Sequence, residues 1–490
     1  MKLATVIKYI NAAAPQIDPA LTERDVVSFV IDSREVNAGD VFFALSQPEY
    51  ANNGFNGDFE DATVYVAGAL EAGAAAAVVR RDRFEEHNES LAGFADRLIF
   101  VDDAIEALQA LARHVYLEWD RPVVAITGSA GKTTAKELTA HVLASSGRRV
   151  LRNIKNYNNG LGHPLTVLNL TRDNSYDIAV LEMGMSTPMN EIARLCRITP
   201  PDVAVELNVL PVHLEHLATI DNIAKAKAEL VEGMKAGGIA ILNADDARVF
   251  AMKSLSKGSV LTYGLEHDAD VSASKIEFSG FGGTTFELTT PMGNAIVSFS
   301  LNGKHNILNA LAAAAVGHSF GMNAEKIARA LSTAAAPSQR GEMIEFVAGF
   351  SVINDSYNSN PAALLSMVRT LMDGGRNAKR RIVVAGEMLE LGADAAAIHR
   401  ATGQEIASCG IDLLIGVRGF GSELVAGAKD AGLKEAVFAA DSAIAGEMLA
   451  EIIAPGDAVL IKGSRGVRTE KVLEVLSAKF EVEKGEAVKQ

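Results

Sequence analysis

The segment VVAITGSAGKTTAKELTAHVL, residues 123–143, constrains this chain more than any other. A run of β-branched and apolar residues feeds Gly128-Ser129-Ala130-Gly131-Lys132-Thr133-Thr134, and a helical pattern begins at once. Glycines let backbone amides approach a polyphosphate closely. The helix N-terminus adds positive potential, Lys132 adds charge, and Thr133 offers a hydroxyl to Mg²⁺. Only Ser129 and Ala130 separate the glycines, a shorter spacing than in the general phosphate loop. Such a strand, turn and helix belong in a mainly parallel sheet with helices on both faces. The loop predicts a bound nucleotide and leaves the reaction open.

A chain of 490 residues suggests about three domains. Its 48% hydrophobic and 22% charged residues exclude a disordered chain. The formal charge of −15 argues against general coating of nucleic acid. Cys196 and Cys409 cannot build a disulfide framework, which fits a reducing compartment. Lys2, Lys8 and Asp18 interrupt the N-terminal apolar stretch, so no secretory leader is expected. No run approaches the ~18 apolar residues of a membrane span. The expectation is a cytoplasmic protein without membrane insertion.

Three units are expected at 1–102, 103–336 and 337–490. In the first, residues 26–45 read as two short strands around a turn at Gly39-Asp40, and residues 64–79 as strand, small-residue helix and strand. A long amphipathic helix is expected from Ala104 to Trp119. In the second unit, DIAVLEMG, DVAVELNV and GIAILNAD alternate with helical patterns, predicting a doubly wound sheet; 270–300 reads as an antiparallel hairpin beside it. The third unit repeats the α/β alternation from FSVINDS to DAVLIKG, giving a Rossmann-like domain.

Several short motifs follow the phosphate loop in order. They are Lys155 to Pro164 (KNYNNGLGHP), Leu181-Glu182-Met183-Gly184, His213-Leu214-Glu215-His216 and Ala226-Lys227-Ala228-Glu229. Gly303-Lys304-His305-Asn306, Asn354 to Pro361 (NDSYNSNP), Gly386 to Gly392 (GEMLELG) and Lys462-Gly463-Ser464-Arg465 complete the series. Together with the shortened loop they resemble the Mur ligase family, ATP-dependent amide-forming enzymes of peptidoglycan precursor synthesis. The resemblance covers nearly the whole chain. The asparagine-rich segment is similar to that of the family's last step, which implies two substrates, UDP-N-acetylmuramoyl-tripeptide and D-alanyl-D-alanine. It also implies a monomer.

Residue readings follow from position and from that resemblance. Glu182 ends an apolar strand, where packing needs no carboxylate and doubly wound sheets gather ligands. The resemblance implies a Mg²⁺ ligand there, beside Thr133, and a second at His213, with His216 the weaker candidate. Lys227 lies four residues after Ile223 and three before Leu230, on the apolar stripe of its helix. On spacing alone its stem packs and its head reaches outward. The resemblance implies instead a carbamate formed with CO₂, an oxygen ligand suited to Mg²⁺. His305, Asn306 and Asn309 open a helix and can face adenine, although an asparagine there is also an ordinary cap. Arg340 is placed to reach the γ-phosphate if the third domain closes, and Asp355 and Tyr357 to meet the nucleotide from that side. Ser33, in Asp32-Ser33-Arg34, matches the UDP-binding motif. Asn158 and Asn159 match contacts to the sugar–diphosphate, or form a turn. His399, Lys462 and Ser464 are candidates for the incoming dipeptide.

Two other readings compete. A sister ligase would add the third amino acid to UDP-N-acetylmuramoyl-dipeptide, but the Asp-Asn-Pro-Arg motif of its diaminopimelate-adding members is missing. A phosphate-loop switch would exchange or hydrolyse nucleotide without peptide-dependent phosphate release, and no guanine-reading Asn-Lys-x-Asp stretch is present.

Overall fold

The computed structural model describes residues 1–55, 59–154, 156–185, 190–211 and 219–483. Three sheets follow one another along the chain. Strands β1 (Phe29–Val30), β2 (Val41–Phe43), β3 (Ala76–Arg80) and β4 (Leu98–Val101) pair in sequence order, all parallel. The second sheet holds β5 (Val123–Thr127), β6 (Val150–Arg152), β7 (Ile178–Glu182), β8 (Val203–Glu206), β9 (Ile239–Asn243), β10 (Ser259–Gly264), β11 (Val271–Phe278), β12 (Thr284–Thr290) and β13 (Gly293–Phe299). Its order is β13-β12-β11-β10-β9-β8-β5-β7-β6. The third sheet is ordered β14-β15-β19-β16-β17-β18, from Glu342–Glu345, Ser351–Asp355, Arg380–Gly386, Leu413–Val417, Ala436–Ala439 and Asp457–Lys462 in chain order. The architecture is the expected α/β type with mainly parallel sheets.

Strand alternation sorts the central sheet into two faces. Val123, Ala125, Leu181 and Ala204 join a core shared with the first sheet and with α1 (Ala104–Trp119). Val124, Ile126, Val180 and Val205 pack toward α2 (Lys132–Ala144). Helix α3 (Ile220–Glu232) lies on the first face and α4 (Lys304–Ser319) on the second. Ala310 and Ala312–Ala315 are buried, and their small side chains let α4 run through the interior close to α2. Helix α1 starts where it was expected because Asp103 accepts from Ile105 N and Glu106 N, while buried Glu49 accepts from Ala104 N.

Details differ from the sequence reading where apolar runs are short. β1 and β2 pair in parallel rather than as a hairpin, because a turn of 3₁₀ helix at Ser33–Glu35, capped by Asp32, carries the chain across between them. Residues 64–65 close another 3₁₀ turn, capped by Asp61, and run into the helix Val66–Glu71 where a strand was expected. An apolar run of that length fits a helix or a strand equally well. The antiparallel segment is larger than a hairpin. β11 pairs with β12 and β12 with β13, and β11 also continues the parallel sheet beside β10. Among the described residues no helix is long and apolar enough to cross a membrane.

Candidate nucleotide and acceptor site

β5 lies between β8 and β7, where the strand order reverses, so its carboxyl end opens on a crevice. The phosphate loop sits there and is braced by its neighbour. Ala130 N donates to Asn208 Oδ1 (2.9 Å), Asn208 Nδ2 donates to Ala130 O (3.1 Å), and Ser129 N donates to Asn208 O (3.0 Å). Gly131 has φ +85°, and a Cβ there would stand 2.5 Å from Asn309 Oδ1. Glycine is therefore required both by backbone conformation and by the close approach of α4. Lys132 Nζ donates to Gly128 O (2.8 Å), and burial holds its ammonium below the ordinary lysine value. Asn208 escaped the sequence reading. Its only signal was a polar side chain just beyond an apolar strand.

Glu182 ends β7 and is 4% exposed. Thr133 Oγ1 donates to its Oε2 (2.8 Å) and Asn158 Nδ2 to its Oε1 (2.8 Å). One carboxylate thus joins the phosphate-loop hydroxyl to the asparagine-rich segment. Hard oxygen donors grouped at the end of a strand fit Mg²⁺. Asn159 Oδ1 accepts from Leu161 N and Gly162 N, so this side chain builds the turn into the next helix while also lining the crevice.

A second group lies near Lys132. Lys227 on α3 is buried, and the charge of Glu206 acts on it from nearby. Burial, aided by nearby Lys132, pulls its ammonium down to about 7. Glu206 ends β8 on the same face as Ala204, fully buried, with neither carboxylate oxygen hydrogen-bonded. Burial raises this carboxyl well above the usual range. The sequence reading missed Glu206, although it ends an apolar strand as Glu182 does. His213 and His216 lie outside the described residues.

The third sheet supplies the far wall of a cavity of about 550 Å³. The Arg340 guanidinium stands 4.1 Å from the centre of the Tyr357 ring, and Arg465 stands 5.8 Å from it. Among the described residues no carboxylate pairs with Arg340, which leaves its charge available to an anion. Arg340→Ala is expected to lower kcat roughly 10²–10³-fold in a phosphate-release assay, in line with the loss of a positioned charge on a transferring phosphoryl group. Asp355 is held by Lys462, whose Nζ also donates to Asn358 O (2.8 Å). Ser464 Oγ accepts from Leu389 N (3.0 Å) and donates to Ser359 O (3.3 Å). His305 Nδ1 meets Ser366 Oγ (3.1 Å), and burial lowers its ring to about 4, so it is neutral near pH 7. Asn306 Nδ2 donates to Asn302 O (2.8 Å) and Asn309 Nδ2 to Asn306 Oδ1 (3.4 Å). These asparagines pin the start of α4 and also line the cavity.

Two expected site residues stand outside the wall of this cavity. His399 is fully buried, its Nε2 accepts from Met388 N (2.9 Å) and its Nδ1 meets Ala395 O (2.6 Å). Both ring nitrogens are taken, so His399 shapes the loop 387–391. Its position near the third domain's motifs gave no sign of burial. Ser33 sits in its capped 3₁₀ turn on the first sheet and is not part of the cavity wall.

A braced phosphate loop, a carboxylate on the adjoining strand and an arginine from the next sheet define a nucleotide-using phosphoryl-transfer enzyme. The Mur ligase middle domain matches residues 126–317, and the Mur ligase glutamate ligase domain matches residues 339–465. The UDP-N-acetylmuramoyl-tripeptide–D-alanyl-D-alanine ligase of Escherichia coli (strain K12) is 34% identical over 429 residues, covering 83% of this chain and 91% of the relative. A crystal structure of MurF from Acinetobacter baumannii superposes with a TM-score of 0.83 at 27% identity, covering 97% of this chain and 98% of that one. A MurF ligase from Thermotoga maritima in complex with ADP gives 0.78 at 29%, covering 92% and 97%. The chain belongs to the Mur ligase family.

Proposed function

We propose that this protein is an ATP-dependent ligase that joins D-alanyl-D-alanine to UDP-N-acetylmuramoyl-tripeptide in the cytoplasm. The observation that carries the reading is Glu182, whose carboxylate is shared by Thr133 of the phosphate loop and Asn158 of the acceptor-side segment. Nucleotide and acceptor are thereby brought to one point. The relatives' names supply the particular substrates. Residues 1–102 hold the UDP end with help from Ser33, 103–336 bind ATP, and 337–490 close over it with the amine.

The chemistry follows from charge and position. The terminal carboxylate of the tripeptide attacks the γ-phosphorus, ADP leaves, and an acyl phosphate forms. The dipeptide amine attacks the acyl carbon, phosphate leaves with the bonding electrons, and the amine loses a proton. Phosphoryl transfer needs positioning and charge neutralisation more than covalent help. Lys132 and Arg340 supply cationic charge from opposite walls, and His305 with Asn306 and Asn309 faces the base. Mg²⁺, when bound, neutralises the triphosphate; Thr133 and Glu182 would hold one ion, and Glu182, His213 and Lys227 a second. At Lys227 the neutral amine nitrogen would add to CO₂ and lose a proton, and the resulting carbamate would supply an oxygen donor. Its burial and its lowered pKa support this role. An amine panel tests the substrate assignment. Turnover with D-alanyl-D-alanine and none with diaminopimelate or lysine is expected, and the reverse pattern would overturn it in favour of the sister ligase.

A further inference from the structure

Two buried polar residues outside the motifs hold Glu182 from behind. Asn153, 2% exposed, directly follows β6, the edge strand of the central sheet. Its side-chain amide grips both backbone groups of Glu182: Glu182 N donates to Asn153 Oδ1 (3.0 Å), and Asn153 Nδ2 donates to Glu182 O (2.8 Å). The side chain acts as an extra rung of the β6–β7 ladder, one step beyond the last paired residue, Arg152. The same Nδ2 donates to Tyr157 O (2.9 Å), at the foot of the segment carrying Asn158 and Asn159. Asn153 itself is fixed by Lys136, whose Nζ donates to Asn153 O (2.5 Å). Lys136 belongs to α2, one turn beyond Lys132 and Thr133, and is only 1% exposed.

A fully buried lysine is rare unless it is paired. Lys136 meets Glu137 at 2.9 Å, and Glu137 also meets Arg152 at 3.0 Å. The charge is therefore satisfied at the edge of the interior, while the ammonium's inward bond goes to Asn153. One chain of contacts thus runs from the phosphate-loop helix through Lys136 and Asn153 to Glu182 and the asparagine segment.

We propose that Asn153 and Lys136 are positioning residues that lock Glu182 and the Asn158–Asn159 segment to the phosphate-loop helix, so that nucleotide and acceptor are held in one register. Removing the Asn153 side chain frees two buried backbone groups of Glu182 together with Tyr157 O. The Glu182 carboxylate then loses its fixed aim. Groups that orient a metal-holding side chain typically change metal affinity or activity by about 10–100-fold. Lys136 acts through Asn153, so its loss has the smaller effect and does not add to that of Asn153.

The test uses the full chain with Asn153→Ala, Asn153→Asp, Lys136→Met and the double variant. Calorimetry of ADP binding across a Mg²⁺ titration gives the first readout, and steady-state kinetics the second. In Asn153→Ala the half-saturating Mg²⁺ and the KM for the UDP-tripeptide are expected to rise about 10-fold, with the KM for D-alanyl-D-alanine unchanged. Asn153→Asp keeps the acceptor for Glu182 N but loses both donated bonds, and is expected to fall between. The double variant is expected to match Asn153→Ala. A fall in melting temperature with unchanged Mg²⁺ dependence and unchanged KM would overturn the proposal and leave a merely structural role. Additive effects in the double variant would break the link between the two residues. The kinetic half rests on the ligase reading; the calorimetric half does not, so a wild type silent toward the dipeptide would sink that reading and leave this inference separately tested.

Discussion

Lys132→Met is expected to abolish turnover in practice, with kcat lowered by roughly 10³-fold or more, about 4 kcal/mol of transition-state stabilisation. Methionine keeps the stem and its packing but deletes the ammonium at the start of α2. The loop stays in place, because Asn208 and Ser129 brace its backbone independently of Lys132. ADP binding should therefore weaken far less than kcat falls. Measuring both separates the two contributions. Equal losses in ADP affinity and kcat would mean that Lys132 binds nucleotide uniformly and does not act at the transition state.

Lys227 carries the second large effect. Lys227→Ala is expected to lower kcat by roughly 10²–10³-fold, and added formate or acetate to restore part of it by placing a small carboxylate in the gap. Full activity in the variant, without rescue, removes Lys227 from the mechanism. Stability has the opposite sign. The folded-state pKa of about 7 lies below the ordinary 10.5, so between these values the unfolded chain binds the extra proton. Stability from this site therefore rises with pH across that window, and the penalty is complete below pH 7. In CO₂-free buffer without nucleotide, Lys227→Met should be more stable than the wild type near neutral pH. The difference should shrink toward pH 10.5, as melting curves at several pH values would show.

Much of this site was legible from strand ends. A charged or polar residue closing an apolar run has no packing reason to be there, which is why Glu182 stood out. Glu206 closes an apolar strand and Asn208 follows it closely, but no motif marks either. Helix spacing placed Lys227 inside correctly, but spacing alone favoured a head reaching solvent. The buried ammonium depends on α3 packing against β8, a tertiary fact. His399 shows the converse. It sits among motifs that border the cavity, yet its ring is used up by Met388 and Ala395. Short strands fared worst. β14 and β18 are four residues each and were not anticipated, because edge positions relax the apolar pattern that marks buried strands. For β1 and β2 the sequence shows two short strands around a turn, and local sequence does not reveal the crossing connection that makes them parallel.

Amide formation driven by ATP is the central reaction. Its most direct test is inorganic phosphate release by the purified chain with Mg·ATP and UDP-N-acetylmuramoyl-tripeptide, with and without D-alanyl-D-alanine. Release that requires both peptide substrates, matched one-for-one by the condensed UDP-pentapeptide in mass spectra, is the expected result. Phosphate release indifferent to the dipeptide, or nucleotide turnover with no condensed product, would contradict it.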